Sequence, residues 1–263
     1  MGSPGTAALQ VGLKARGFYG GTIHGFYTTR TRAAVRAFQR RHGLVADGIA
    51  GPATRGKLGR YARHWLGERA LRTGMRGWDV AALQFLLAWH GFPSGALDGD
   101  FGPRTDTALR RYQRWPRLGA DGIAGPYTIR ALRREPPPRA RVALTRPARA
   151  PVTERFGPRG SRFHAGVDFP TRFGAPVRAA RRGVVSFARW DAGGFGNLVV
   201  VRHGRGVRTY YAHLSRVWVR DGRRVRAGDR LGAVGATGFA TGPHLHLELR
   251  VRGAAVNPLP ALR

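Results

Sequence analysis

The chain has 263 residues, enough for two or three small domains that each bury a core of their own. Its 46 Lys+Arg against 14 Asp+Glu leave a formal charge of +32, and only Lys14 and Lys57 are lysines, so the excess is arginine and favours polyanionic surroundings. The absence of cysteine excludes a disulfide framework and a thiolate metal site, and no apolar run reaches the roughly 18 residues of a membrane-spanning helix.

Met1-Gly2-Ser3-Pro4 carries no apolar leader core, so the chain reads as soluble as it stands, with prior removal of a leader left open. Beyond it the first half repeats itself. Asp47-Gly48-Ile49-Ala50-Gly51-Pro52 returns as Asp121 to Pro126, an offset of 74 residues. The same offset superposes Leu9-Gln10 on Leu83-Gln84, Gly17-Phe18 on Gly91-Phe92, Thr31 on Thr105, Gln39 on Gln113 and Thr54 on Thr128.

Apolar positions at helical spacing, such as Leu9 with Leu13 and Val35 with Phe38, predict three short helices per copy. In the first copy they run over about Thr6 to Arg16, Thr29 to His42 and Pro52 to Tyr61. Thr31 and Thr105 fall near helix starts, where a hydroxyl can cap free N–H groups, and Pro52 and Pro126 suit a first helical turn. His24, His42, His64 and His90 have no recurring partner and read as surface or packed residues. Asp98 and Asp100 read as turn formers before a carboxylate pair, and Trp65, Trp78, Trp89 and Trp115 as packing before sugar stacking.

The order Leu83-Gln84, Gly91-Phe92, Leu97-Asp98-Gly99-Asp100-Phe101-Gly102-Pro103-Arg104-Thr105, Tyr112-Gln113 and Asp121 to Pro126 resembles the peptidoglycan-binding domains appended to bacterial wall hydrolases. The first copy departs from that pattern with His24-Gly25 and Tyr27-Thr28. The resemblance implies bacterial peptidoglycan, with its anionic wall polymers, as partner. The expected divisions are a first repeat at 1–62, a connector and second repeat at 63–134, a linker at 135–151 and a further domain at 152–263. Arg133-Arg134-Glu135-Pro136-Pro137-Pro138 and the Arg/Ala/Pro stretch after it suit an extended, semi-stiff linker.

After Pro151 short β-branched runs alternate with glycines. Strands are expected at Pro176 to Ala179, Gly183 to Arg189, Asn197 to His203, Val207 to His213, Arg230 to Val234 and His244 to Val251, with Gly204-Arg205-Gly206 as a hairpin connection. The fold class is therefore multidomain: two small all-α three-helix domains followed by a mainly antiparallel all-β domain.

In the last strand, Leu245, Leu247 and Leu249 alternate with His244, His246 and Glu248, which share the other face. Its two imidazoles lie about 6 to 7 Å apart along the strand. Spacing alone leaves a metal site, a proton shuttle and a polar sheet face equally open. His164, Asp168 and one histidine of the His-x-His pair supply the three N or O donors of a catalytic zinc, with a fourth position left for water. Tyr210, Tyr211 and Asn197 are candidates to position a substrate, with packing the alternative for the tyrosines, and His203 reads as exposed and without a role.

His164-x3-Asp168 followed by His244-x-His246 resembles the lysostaphin-like zinc endopeptidases of bacterial wall metabolism. Arg155-Phe156-Gly157-Pro158-Arg159, Gly196-Asn197-Leu198-Val199-Val200, Val225-Arg226-Ala227-Gly228-Asp229 and Thr237 to Pro243 carry the likeness over about 151–262. The resemblance implies His164, Asp168 and His246 as zinc ligands and His213 and His244 as the catalytic pair beside the water. It also implies a monomeric hydrolase of cell-wall peptides acting outside the cytoplasm. A catalytically silent wall binder or activator of another hydrolase is the alternative. Specific nucleic-acid binding rests on charge alone, without a recognition motif.

Overall fold

The structure, a computed structural model, describes residues 1–134 and 139–263 and divides into two compact units. One comprises Met1–Pro137 with Pro158–Phe163, and the other Pro138–Gly157 with His164–Arg263. The first contains helices α1 (Pro4–Ala15), α2 (Thr29–Arg41), α3 (Pro52–Lys57), α4 (Trp78–Trp89), α5 (Pro103–Arg114) and α6 (Pro126–Arg134), with a 3-10 turn at Gly59–Ala62.

Each copy is closed by buried glutamines. Gln113 donates from Nε2 to Asp121 Oδ1 at 2.7 Å, to the Ile123 carbonyl at 3.0 Å and to Thr128 Oγ1 at 3.3 Å, while its Oε1 accepts from the Gly122 N–H at 3.0 Å. Gln39 repeats the set with Asp47, Ile49, Thr54 and Gly48. Gln84 repeats it with Asp98, Asp100, Thr105 and Gly99. One amide thus satisfies the groups of a whole turn, which explains why Gln, Asp-Gly and Thr recur together.

Gln10 closes the remaining turn through Phe26, Thr31 and Gly25, and here His24 stands where the other turns have aspartate. His24 Nδ1 accepts from the Phe26 N–H at 3.0 Å, as Asp98 Oδ1 does from Asp100 at 2.9 Å. The departure in the first copy is therefore a replacement of one acceptor by another. Thr31 and Thr105 differ from their expected capping role: Thr28 caps α2, while the two buried hydroxyls belong to the glutamine sets.

α4 is buried on nearly every side, and α1 is buried continuously from Ala7 to Leu13. They pack against each other, so the two copies share a core instead of forming separate domains. Asp79, fully buried at the start of α4, is compensated by Arg69 at 2.7 Å. Of the four tryptophans of the helical unit, Trp78 is buried, Trp89 and Trp115 are half-buried, and Trp65 is exposed, lying edge-on to Trp78. His90 is buried and donates to the Leu132 carbonyl, and His42 packs on Phe38.

The second unit is built on an antiparallel sheet. A separate two-stranded hairpin, β1 (Gly157–Arg159) and β2 (Arg162–His164), falls mostly in the first unit; the strands of the second are β3 (Val167–Pro170), β4 (Pro176–Arg178), β5 (Gly183–Asp191), β6 (Gly196–Arg202), β7 (Val207–Val217), β8 (Arg224–Val225), β9 (Arg230–Val234), β10 (His244–Val251) and β11 (Ala254–Val256). The sheet order is β11-β10-β7-β6-β5-β8, with β3 joined to β10 and β9 joined to both β7 and β4. The five strands not expected from sequence are two to four residues long, too short to display an alternation.

Of the expected linker, residues 135–138 lie outside the described residues, and residues 139–151 correct the expectation. Leu144 and Ala148 are buried in the β core with Val167, Tyr211 and Leu247. Leu144 donates its N–H to Ala261, and Thr145 donates to Ala180. Apolar residues spaced among the arginines and prolines are what tie this stretch down.

Replacing Gln113 by Ala strands the Gly122 N–H and the Thr128 hydroxyl in the interior. We expect the helical unit to lose roughly 2 to 4 kcal/mol in denaturant unfolding followed by helical circular dichroism. The Gly122 amide should exchange with solvent much faster than in the parent chain.

Candidate metal centre

β10 runs between β3 and β7, with His246 opposite Asp168 on one side and Ala212 on the other. Leu245, Leu247 and Leu249 are fully buried in the main core. His244, His246 and Glu248 take the opposite face, where Leu198, Val200 and Ala212 form a second apolar cluster. His164 closes β2 just ahead of β3. Between them Gly166 lets the chain pass close to β10: a Cβ there would lie 2.3 Å from the Leu247 carbonyl oxygen and 3.0 Å from His246 Nε2.

His164 Nε2 lies 3.0 Å from His246 Nδ1 and 3.2 Å from Asp168 Oδ1, and His246 Nδ1 lies 2.8 Å from the same oxygen. These three donor atoms fall within 4.8 Å of one another, and their residues are buried. A tetrahedral zinc with bonds of about 2.0 to 2.1 Å needs ligand atoms about 3.3 Å apart, close to these separations. The outer nitrogens agree with that use. His164 donates from Nδ1 to the Arg155 carbonyl, and His246 Nε2 points to Glu248 Oε1 at 3.3 Å, which leaves one ring nitrogen of each facing the cluster. Two imidazoles and a carboxylate suit a borderline divalent cation, so the group can hold a metal.

His213 and His244 complete the cluster. His213 donates from Nδ1 to the Thr237 carbonyl at 2.7 Å, and His244 from Nδ1 to the Gly242 carbonyl at 2.9 Å, so Nε2 is the unbound nitrogen of each ring. His244 Nε2 is 3.9 Å from Asp168 Oδ1, and the ring of His213 lies 4.8 Å from that of His244. His213 has φ of +64°, a conformation disfavoured for a side chain with a Cβ. The anchors at Arg155, Thr237 and Gly242 are main-chain carbonyls, which no residue-type pattern advertises.

The two substrate candidates part company here. Tyr211 is a correction: it is fully buried, and its hydroxyl accepts from the Ala180 N–H and the Thr209 hydroxyl, because alternation along β7 turns it toward the core. Asn197 is half-buried and donates its side-chain N–H to the Leu214 carbonyl, beside the register break of β6 and β7. Tyr210 lies beneath the Arg250 guanidinium at 4.3 Å. His203 is also corrected: it is half-buried, bonded to the Arg182 carbonyl and to Thr209 Oγ1.

Burial opposes ionisation of both carboxyls, but His164 and His246 hold Asp168 well below the carboxylate range, and Arg250 with His246 brings Glu248 down to about 2. Burial likewise opposes protonation of His246, yet Asp168 and Glu248 outweigh it and raise this histidine to about 9. His213 is pushed down to about 4 by burial, although Thr237 favours its charged form. The stability from the depressed Glu248 is complete above its ordinary value of 4.5 and is lost as pH falls toward about 2. That from protonated His246 is complete below 6.5 and is lost as pH rises through about 9. In chelator, thermal melts should therefore show the transition falling at both extremes. Saturating zinc, bound in place of the His246 proton, should remove the alkaline fall. Gly166→Ala should cost about 1 to 3 kcal/mol in the same melts and weaken metal binding, measured by chelator competition.

Residues 162–258 match peptidase family M23, and residues 2–58 and 76–132 each match a peptidoglycan binding domain family. The peptidoglycan DD-endopeptidase ShyA of Vibrio cholerae is 45% identical over 165 residues, covering 62% of this chain and 33% of that protein. The DD-carboxypeptidase/endopeptidase Mpg of Neisseria meningitidis is 49% identical over 98 residues, covering 37% of this chain and 22% of that protein. Among solved structures, the catalytic domain of lysostaphin from Staphylococcus simulans is 34% identical with a TM-score of 0.40, covering 42% of this chain and 90% of that one. The chain spans 22% to 33% of the length of these two curated relatives.

Proposed function

We propose that the chain, whose residues 162–258 match peptidase family M23 and follow two segments that match a peptidoglycan binding domain family, is a zinc metalloendopeptidase hydrolysing peptide cross-links or stem peptides of bacterial peptidoglycan. The observation that carries this reading is the buried His164, Asp168 and His246 donor set with two further imidazoles beside it. A non-catalytic wall binder would leave that set without a purpose. The relatives named DD-endopeptidases support a DD bond as the target.

His164 Nε2, Asp168 Oδ1 and His246 Nδ1 would hold the zinc. When bound, zinc supplies Lewis acidity that polarises a scissile carbonyl and acidifies water toward neutral pH. His213, kept neutral by burial, accepts through Nε2 the proton of the water whose oxygen adds to the carbonyl carbon. As the C–N bond breaks, that proton passes to the departing amine. His244, anchored at Gly242, shares the proton transfer and stabilises the oxyanion from the other side. The repeats keep this domain at the wall, and the surplus of arginine adds attraction to anionic wall polymers. We place the protein outside the cytoplasm, at the cell wall, acting as a monomer.

Digestion of defined peptidoglycan with and without chelator, followed by mass analysis of the released peptides, tests the activity and identifies the bond. His246→Ala should lose zinc and all release while still sedimenting with intact walls; continued release by that variant refutes the assignment. His213→Ala should keep zinc and lose about 10²- to 10⁴-fold in kcat.

A further inference from the structure

We propose that Arg250 is a positioning residue that sets metal affinity by fixing Glu248 and, through it, the ring of His246. The inference rests on the zinc reading above. Two residues beyond Glu248 on β10, Arg250 falls on the same face of the sheet. In a chain whose arginines are otherwise in large excess over carboxylates, this one is largely withdrawn from solvent: its side chain is 13% accessible and that of the buried Glu248 is 3%.

The two oxygens of Glu248 are divided. Oε1 faces His246 Nε2 at 3.3 Å, and Oε2 accepts from Arg250 Nε at 2.6 Å. A carboxylate held at one oxygen can rotate about its terminal torsion, whereas one held at both presents a fixed acceptor. Arg250 is itself immobilised, with its guanidinium 4.3 Å from the Tyr210 ring and 6.0 Å from that of Phe195. Phe195 reaches the rest of the site: its ring lies 6.1 Å from His246, and its carbonyl accepts the His213 N–H at 2.9 Å. The chain of contacts runs from two aromatic rings through a guanidinium and a carboxylate to the outer nitrogen of His246. Rotation of that ring moves Nδ1 away from His164 and Asp168, so the outer anchor controls how well the inner atoms meet.

The test is zinc affinity of the full chain, measured by chelator competition at one neutral pH, for the parent, Arg250→Lys, Arg250→Met, Glu248→Leu and the Glu248→Leu/Arg250→Met pair. Arg250→Met should weaken affinity about tenfold to a hundredfold, with Arg250→Lys recovering part of the loss. On the Glu248→Leu background the Arg250 substitution should cost nothing further, because its effect passes through the carboxylate. Activity at saturating zinc should recover, and NMR of the loaded chain should show the His246 Nε2–H exchanging with solvent faster in Arg250→Met than in the parent, because its acceptor is no longer fixed. An Arg250→Met chain within twofold of the parent overturns the inference. So does an equal loss with and without Glu248. Should Arg250→Met fail to fold, the apolar pair carries the test: it must bind zinc more weakly than the parent, and parent-like binding overturns the inference. A parent chain that binds no zinc refutes the metal reading as well, which separates the two failures.

Discussion

The antiparallel register that sets His246 opposite Asp168 is the constraint on which the rest of the β unit depends. A slip of one residue on β10 would exchange the leucine and histidine faces, placing three polar side chains in the main core and the leucines at the site. The register is held from both sides, by β3 and by β7. Burial of Leu245, Leu247 and Leu249, each worth about 1.5 to 3 kcal/mol relative to exposure, therefore also specifies where the candidate metal ligands fall. Stability and chemistry are supplied by alternate residues of the same eight.

Around that strand the unit solves a second problem, the presence of three ionisable groups away from water. Asp168, His246 and Glu248 are tolerable because each neutralises a neighbour, with Arg250 closing the series. The arrangement fixes the donor atoms against one another, so a cation taken up by this group would need little reorganisation. The helical unit applies a neutral version of the same principle. There a glutamine amide, buried and fully bonded, replaces a set of separate turn-stabilising contacts.

The sequence made the repeats, six of the strands and the five polar side chains that the structure brings together visible, because each is signalled by a period, an offset or a motif. What it hid were departures from period. Along β7, Val207, Thr209 and Tyr211 are buried on the core side, yet Leu214 belongs to the same core, so the alternation changes phase between them. The positive φ of His213 is where this occurs, and it delivers the imidazole to the site face while Tyr211 stays inside. A reader counting by twos places both tyrosine and histidine on one side. Residues 139–151 were hidden differently: their arginines and prolines dominate composition, while a few small apolar side chains decide where the segment lies.

The common core of α1 and α4 bears on how such a chain can be cut and recombined. Gly25 of the first copy approaches the Phe85 ring of the second so closely that a Cβ would sit 2.8 Å from it, and α1 packs more extensively on α4 than on α2 of its own copy. A duplicated segment is usually regarded as two transferable parts. Here the structural unit is the pair: a transplanted single copy would expose the face its twin now covers, so the two copies must be moved together to keep their core intact.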